Sequence, residues 1–193
     1  KGLRVVTVVG DSRLALPGQV LGCDYTAAKR MENDVDCFLF LGDGDFHPLG
    51  LSLCTSKPVI AASPSDGSAR AYAELRERFL RQRYAAIELA SKSRSFGILV
   101  SFKVGQRRPG VPEALLTEIR GSGRDAFLIH TNVISPDLIG SYNLDAYVCT
   151  ACPRIAIDDY LRYSRPVLTP LETRIAIGLL PYDALTLDQI LGE

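Results

Sequence analysis

Short apolar runs alternate with longer amphipathic stretches along most of this 193-residue chain. The runs are rich in Val, Ile, Leu and Phe and carry few polar side chains on either side, which is typical of strands buried in a parallel sheet. They predict strands at residues 3–9, 36–41, 58–62, 96–101, 126–131, 146–149 and 166–168.

Helical patterns lie between the predicted strands, at residues 26–33, 48–55, 111–121 and 136–140. The longest pattern covers residues 69–91, where apolar side chains recur every three to four positions. We expect its arginines to form a solvated face; they are Arg76, Arg78, Arg81 and Arg83. The alternation of strand and helix predicts right-handed βαβ crossovers.

The chain contains an internal repeat. Residues 35–40 resemble residues 144–149, and residues 57–60 resemble residues 165–168 at nearly the same spacing. Two related βαβ-type domains joined by the long helix would explain this repeat. We therefore predict an α/β protein with parallel sheets, whose domains cover residues 1–92 and 93–193.

Composition narrows the class of protein. Lys and Arg (22) balance Asp and Glu (22), and 47% of the residues are hydrophobic, so the chain lacks the basic excess of a general nucleic-acid binder. No apolar run approaches the roughly 18–20 residues that cross a bilayer. The chain enters a predicted strand almost at once, without Met or a signal peptide. We expect a cytoplasmic protein, and a piece of a longer one.

The five cysteines are odd in number and irregularly spaced, which favours a reducing compartment over a disulfide framework. We expect Cys37 and Cys54, which lie in apolar segments, to pack in the core. Cys23 and Cys152 follow predicted strands beside glycine or proline, where loops present side chains at open strand ends. Ligands of parallel sheets bind at these ends.

Three segments could carry chemistry. Cys149 and Cys152 form a Cys-x-x-Cys pair after a strand, which fits a redox pair, half of a metal site or, with the following proline, an iron–sulfur ligand. A glycine-rich turn at residues 42–50 contains His47 and resembles a nucleotide-binding loop without its full fingerprint. Gln106 follows the strand at residues 96–101 and could contact the polar edge of a ligand.

Five strings in the sequence resemble one family closely: GQVLGC, FLFLGDGDFHPLGLSL, KPVIAASP, AYVCTACPRIAIDDY and RPVLTPLE. They look like the archaeal diphthamide synthase subunit, 2-(3-amino-3-carboxypropyl)histidine synthase. The resemblance covers nearly the whole chain. It implies a noncanonical radical enzyme with a [4Fe–4S] cluster that cleaves S-adenosylmethionine and transfers its 3-amino-3-carboxypropyl group to a histidine of translation elongation factor 2.

The resemblance also implies roles for particular residues. Family members have three related domains, each giving one cysteine to the cluster, so Cys23 and Cys152 would be two ligands and the third would lie outside this chain, with the missing first domain. Cys149 stands where relatives are expected to lack cysteine, so it is not assigned as a ligand. Contacts to S-adenosylmethionine are expected from Gln106, Arg154, Gly44, His47 and Asp158.

The same resemblance implies a transferase that works as a homodimer, receives electrons from a reductase and acts on elongation factor 2, with no nucleic-acid or membrane partner. Two other interpretations stay open at this point. One is a dithiol oxidoreductase that uses Cys149 and Cys152. The other is a non-catalytic protein that binds a small ligand between two lobes.

Overall fold

The computed structural model describes residues 2–191, and these residues form two compact units. The first unit comprises the described residues of Lys1–Leu80 and Gln189–Glu193, and the second is Arg81–Asp188. Among the described residues, no helix is both long and apolar enough to cross a membrane.

The first unit contains a three-stranded sheet. Strand β1 (Phe38–Leu41) pairs in parallel with β2 (Val59–Ala62), and β2 pairs antiparallel with β3 (Ala69–Ala71). Helix α1 (Thr26–Met31) precedes β1, and α2 (Phe46–Cys54) is the parallel crossover between β1 and β2. Nearly all residues of α2 are buried, which matches its apolar sequence.

The second unit is built on a fully parallel sheet of four strands in the order β5-β4-β6-β7. Helix α3 begins in the first unit and ends in this one. The elements from α3 onwards are α3 (Ala73–Ser91), β4 (Ser95–Ser101), α4 (Val111–Gly121), β5 (Asp125–Thr131), α5 (Pro136–Ser141), β6 (Ala146–Cys149), α6 (Arg154–Ile157), β7 (Val167–Leu168) and α7 (Pro170–Ala176), with 3₁₀ turns at Tyr160–Arg162 and Tyr182–Ala184.

One face of this parallel sheet packs against α3, α4 and α7. The contacts are made by buried aliphatic and aromatic side chains, which are Ile87, Ala90, Phe96, Ile98, Leu115, Ile119, Val148, Leu168 and Ile175. The opposite face packs a second apolar cluster around Leu99, Tyr147 and Cys149. Both faces of the sheet are therefore covered, as expected for parallel strands.

The α/β class, the parallel pairing and most of the predicted elements are confirmed. The strand predicted at residues 3–9 is wrong, because these residues are mostly exposed and pair with no described strand. The helix predicted from residue 69 begins at Ala73, because residues 69–71 instead pair with β2 as an antiparallel edge strand.

Two side chains lie where the sequence did not predict them. Arg83 was expected on a solvated face but is 1% exposed, because it forms an ion pair with buried Glu172. Cys37 was expected in the core but is exposed, since it lies before the first residue of β1 rather than within the strand. Cys54 is buried as expected.

Candidate functional site

Cys23 lies in a tight loop of the first unit and is partly exposed. The backbones of Leu21 and Asp24 exchange two hydrogen bonds, of 3.1 and 3.0 Å, so Cys23 occupies the tip of a closed turn. The Cys23 carbonyl accepts a 2.8 Å hydrogen bond from the amide of Ile190, which ties the turn to the end of the chain. The backbone carrying this thiol is therefore fixed on both sides.

Gly22 is required by a close approach. A side chain at this position would collide with the ring of Phe46, the first residue of α2. The Tyr25 hydroxyl donates a 3.1 Å hydrogen bond to the carbonyl of His47. The Cys23 turn and the start of α2 are thus packed together, although the two segments are well separated in sequence.

His47 is half-buried at the start of α2, where its ring stacks with Phe40 at a centroid distance of 6.0 Å. Gly44 lies just before α2 with a φ of 80°, a backbone conformation that glycine adopts without strain. Both residues follow the carboxyl end of β1, which is where the glycine-rich turn was predicted to lie.

Gly44 borders a polar cavity of about 370 Å³ in the first unit. Asp43 lines this cavity, and its carboxylate accepts 2.7 Å hydrogen bonds from the hydroxyls of Ser63 and Ser65. The hydrogen bond from the Ser63 hydroxyl, followed by that from Ser65, lowers the pKa of Asp43 below its ordinary value. The cavity therefore carries an ionised carboxylate at neutral pH.

Cys152 lies in the second unit, in the loop between β6 and the short helix α6, and is partly exposed. The thiol of Cys149 lies 3.6 Å from the Cys152 carbonyl, and the amide of Ile155 donates to the same oxygen at 3.1 Å. The hydroxyl and amide of Thr150 both donate to the carbonyl of Leu99 in β4, at 2.8 and 3.2 Å. The loop that carries Cys152 is therefore anchored to the sheet.

The other predicted ligand contacts of the second unit lie near the same strand ends. Arg154 forms an ion pair with Asp158 one turn later in the chain, at 2.9 Å, and both side chains are accessible. Gln106 follows β4, and its side-chain oxygen lies 3.5 Å from the Ser101 hydroxyl. Since β4 and β6 are parallel neighbours, the loops after them lie at one edge of the sheet.

The remaining cysteines differ from Cys23 and Cys152. Burial raises the pKa of the Cys149 thiol to about 12, and burial likewise raises the pKa of Cys54 to about 12. A thiol with such a pKa is almost fully protonated at neutral pH and is a poor nucleophile or ligand. The burial of Cys149 argues against a dithiol oxidoreductase in which Cys149, the first cysteine of the pair, is the attacking thiolate.

Neither unit contains a complete metal site of its own in the part of the chain that the structure describes. No three side chains of the types His, Cys, Asp and Glu come together closely enough there to hold a metal ion. Each unit instead offers one partly exposed cysteine on an anchored loop.

Two polar features near these loops are not indicated by the residues predicted to form the site. Asp24 is buried beside Cys23, and its carboxylate accepts hydrogen bonds from the amide and hydroxyl of Thr26 at 3.0 and 2.7 Å. Arg83 donates a 2.8 Å hydrogen bond to the carbonyl of Ala156, in the helix that follows Cys152. The pattern Asp-x-Thr before a helical run could have indicated the first contact, whereas no local pattern indicates the second.

Cys152 follows a strand as expected, but no described strand precedes Cys23, so that part of the expectation is wrong. The fold and the two loops define an α/β protein with parallel strands that presents one partly exposed thiol on a hydrogen-bonded loop in each of two units. The model of the diphthamide synthesis protein family matches residues 1–184. The chain belongs to this family.

Two relatives are similar in sequence to this chain over most of its length. The chain is 40% identical over its full length to the 2-(3-amino-3-carboxypropyl)histidine synthase of Pyrococcus horikoshii, and 32% identical over 84% of its length to subunit 1 of the enzyme of that name from Gallus gallus. These matches cover 54% and 39% of the two relatives. The chain thus spans about half the length, or less, of the curated relatives it matches.

A solved structure shares the fold. The crystal structure of Dph2 from Pyrococcus horikoshii with a 4Fe-4S cluster has a TM-score of 0.89 and 39% sequence identity to this chain. The similarity covers 99% of this chain and 53% of the Dph2 chain.

Proposed function

We propose that this chain is part of a 2-(3-amino-3-carboxypropyl)histidine synthase, a transferase that acts in the first step of diphthamide synthesis. It would transfer the 3-amino-3-carboxypropyl group of S-adenosylmethionine to a histidine of translation elongation factor 2. The observation that carries the proposal is the 39% identity, over 99% of the chain, to a structure that contains a 4Fe-4S cluster.

Cys23 and Cys152 are the proposed cluster ligands of this chain. Both are partly exposed and lie on loops with hydrogen-bonded backbones, whereas Cys54 and Cys149 are buried. Thiolates are the ordinary ligands of iron–sulfur clusters, and three of them on four irons leave one iron open to a substrate. The third thiolate would come from a part of the protein outside these residues.

The second unit has side chains suited to the amino acid part of S-adenosylmethionine. Arg154 offers a cation for a carboxylate, and Asp158 offers an anion for an ammonium group, in an accessible pair. Gln106 can donate and accept hydrogen bonds at the same sheet edge. In the first unit, Gly44 and His47 lie on the strand-end turn and complete the proposed contacts.

These side chains would bind and orient the substrate, and so decide which of its three carbon–sulfur bonds is broken. The cluster, when bound, supplies the electron that cleaves a sulfonium carbon–sulfur bond. No side chain of this chain needs to act as a general base in that cleavage.

The proposal extends to organisation and partners. Residues 1–92 and 93–193 would be the second and third domains of a three-domain protein, which works in the cytoplasm as a homodimer. Elongation factor 2 would be its protein substrate and a separate reductase its electron donor.

The test uses the longer polypeptide that contains these residues, purified without oxygen. Iron, sulfide and the electron paramagnetic resonance signal of the reduced protein are measured together with transfer of labelled 3-amino-3-carboxypropyl to elongation factor 2. Cys23→Ala and Cys152→Ala are each expected to lose most of the cluster and all transfer.

Cys149→Ala is the matched control for Cys152→Ala, because it removes a thiol three residues away that is buried and protonated. It is expected to retain the cluster. A Cys152→Ala variant that keeps its iron, sulfide and activity would contradict the ligand assignment. A wild-type protein that binds a cluster but transfers nothing to elongation factor 2 would contradict the proposed reaction.

A further inference from the structure

Residues 102–110, the described loop after β4, carry Gln106 and lie outside the helices and strands. Most residues of this loop are exposed, among them Phe102 at 55% and Val104 at 98%. Gln106 and Arg108 are the two that are partly buried. Packing therefore contributes little to the position of this loop, and the polar contacts of these two residues matter more.

The hydrogen bonds near the start of the loop are local. The amide of Lys103 donates to the Ser101 hydroxyl at 3.1 Å, and the amide of Gln106 donates to the Lys103 carbonyl at 3.1 Å. The side-chain oxygen of Gln106 lies 3.5 Å from the Ser101 hydroxyl, which is longer than an ordinary O–H···O hydrogen bond. The place of the Gln106 side chain thus depends on how the loop backbone is held.

Arg108 ties the loop to a distant part of the second unit. Its guanidinium forms an ion pair with Asp188, in which both guanidinium nitrogens contact the carboxylate, the second at 3.3 Å. The two residues are 80 positions apart, and their side chains are only 15% and 8% exposed. A two-point contact between a planar guanidinium and a carboxylate fixes orientation as well as distance.

The ion pair also lies near the loop that carries Cys152. Burial chiefly raises the pKa of the Cys149 thiol, and nearby charges have smaller effects, of which that of Asp188 raises this pKa and that of Arg108 lowers it. Cys149 is the last residue of β6, three positions before Cys152. The pair is therefore close to both loops of the second unit that contain proposed site residues.

Each member of the pair depends on the other. A buried charge that loses its partner is strongly unfavourable, so its side chain moves toward water where it can. Arg108 is two residues from Gln106 in the same exposed loop. Without Asp188, the movement of Arg108 would carry the loop backbone with it and displace Gln106.

We propose that Arg108 and Asp188 are positioning residues for the substrate, because their ion pair holds the loop so that the Gln106 amide group faces the amino acid part of S-adenosylmethionine. Neither side chain needs to touch the substrate itself. The inference rests on the proposed function, in which Gln106 makes that contact.

Substitution Asp188→Asn tests whether the pair holds the loop. In the polypeptide used for the transfer assay, without substrate, the Gln106 amide should exchange hydrogen at least about 10-fold faster than in the wild type, because the loop opens more often. Asp183→Asn is the matched control, since Asp183 is an exposed aspartate five residues earlier, and should leave this rate unchanged. Exchange of the Val148 amide, in buried strand β6, checks that the second unit stays folded.

Binding of S-adenosylmethionine tests whether the loop positions the substrate. Equilibrium dialysis without reductant measures binding without cleavage, and Asp188→Asn should raise the dissociation constant about 10-fold, as the loss of one well-placed hydrogen bond to a charged group does. With reductant, cleavage should spread to the other two carbon–sulfur bonds. The ratio of methylthioadenosine to methionine and S-adenosylhomocysteine measures this spread, which a purely structural role would not change.

A double variant, Arg108→Gln/Asp188→Asn, separates these effects from unfolding. It lacks the ion pair but leaves no charge of the pair buried without a partner, so the second unit should stay folded. It is expected to show the same faster exchange of the Gln106 amide and the same weaker binding.

Unchanged exchange of the Gln106 amide in both variants would overturn the inference, and so would faster exchange with unchanged affinity and product ratio. A wild-type protein that binds no S-adenosylmethionine would overturn the proposed function and this inference with it. The two failures are distinguishable, because failure of the inference alone leaves binding by the wild-type protein intact.

Discussion

The buried ion pair between Arg83 and Glu172 leads us to predict how substitutions of Arg83 change the free energy of unfolding. Arg83 donates two hydrogen bonds to Glu172, of 2.7 and 2.6 Å, one to the carbonyl of Ala156 at 2.8 Å and one to that of Val167 at 2.9 Å. Both charged side chains are almost fully buried. Glu172 also accepts a 2.8 Å hydrogen bond from the amide of Thr169, as part of a capping box at the start of α7.

Substitution Arg83→Met removes the cation but keeps most of the side-chain volume. It leaves a buried carboxylate without its cation and two carbonyls without donors, so we expect a loss of about 4 kcal/mol in the free energy of unfolding. Arg83→Lys keeps the charge but cannot reproduce the planar fork, and should lose about 2 kcal/mol.

Urea denaturation followed by far-UV circular dichroism measures these losses, with exchange of the Val148 amide as a separate report on the second unit. The exposed pair of Arg162 and Asp159 supplies the control, since Arg162→Met should change stability by less than about 0.5 kcal/mol. The double variant Arg83→Met/Glu172→Gln should be more stable than the sum of the two single losses by at least about 1 kcal/mol. Additive losses, or a loss below about 1 kcal/mol for Arg83→Met, would refute the reasoning.

Three further predictions concern other parts of the chain. Gly22→Ala should lower the melting temperature, by an amount equivalent to about 1–3 kcal/mol, because the new methyl group meets the ring of Phe46, and a smaller side chain at position 46 should restore part of the loss. Hydrogen bonds, the largest from a backbone amide, lower the pKa of Glu32 from 4.5 to about 2, so its stabilising contribution is complete above pH 4.5 and is lost as the pH falls toward 2; in acid denaturation, Glu32→Gln should remove this dependence, and an unchanged profile would contradict it. In alkylation mapped by mass spectrometry, Cys54 and Cys149 should react much more slowly than the other three cysteines, and rapid labelling of either would show that its burial is wrong.

Much of the fold could be predicted because local pattern and burial agree. The central strands β4 and β6 are apolar and buried on both faces, and the edge strand β5 is apolar but partly exposed; all three lie where the sequence placed them. The prediction at residues 3–9 used the same pattern and was wrong. An apolar run has the propensity for a strand, but it becomes one only beside a partner strand.

In the candidate site, too, contacts between residues near in sequence could be predicted, whereas contacts between distant residues could not. The loops that carry Cys23 and Cys152 follow from turn residues near them in sequence, and the pairing of Arg154 with Asp158 follows from helical spacing. The contact of Arg83 with Ala156 joins residues far apart in the chain, and no local pattern distinguishes Arg83 from the exposed arginines beside it.

Among the described strands, β1 lies at the edge of the first sheet, with β2 on one side. This position has a consequence for how the chain behaves in solution. An apolar strand with free amide and carbonyl groups on one side and exposed leucines on one face can pair with the same strand of another molecule. Residues 3–9 add a second exposed apolar segment with few charges, of the kind that forms intermolecular β-structure. The chain is therefore prone to aggregate as its concentration rises, and Leu39→Lys, at an exposed leucine of β1, should delay that aggregation without altering the second unit.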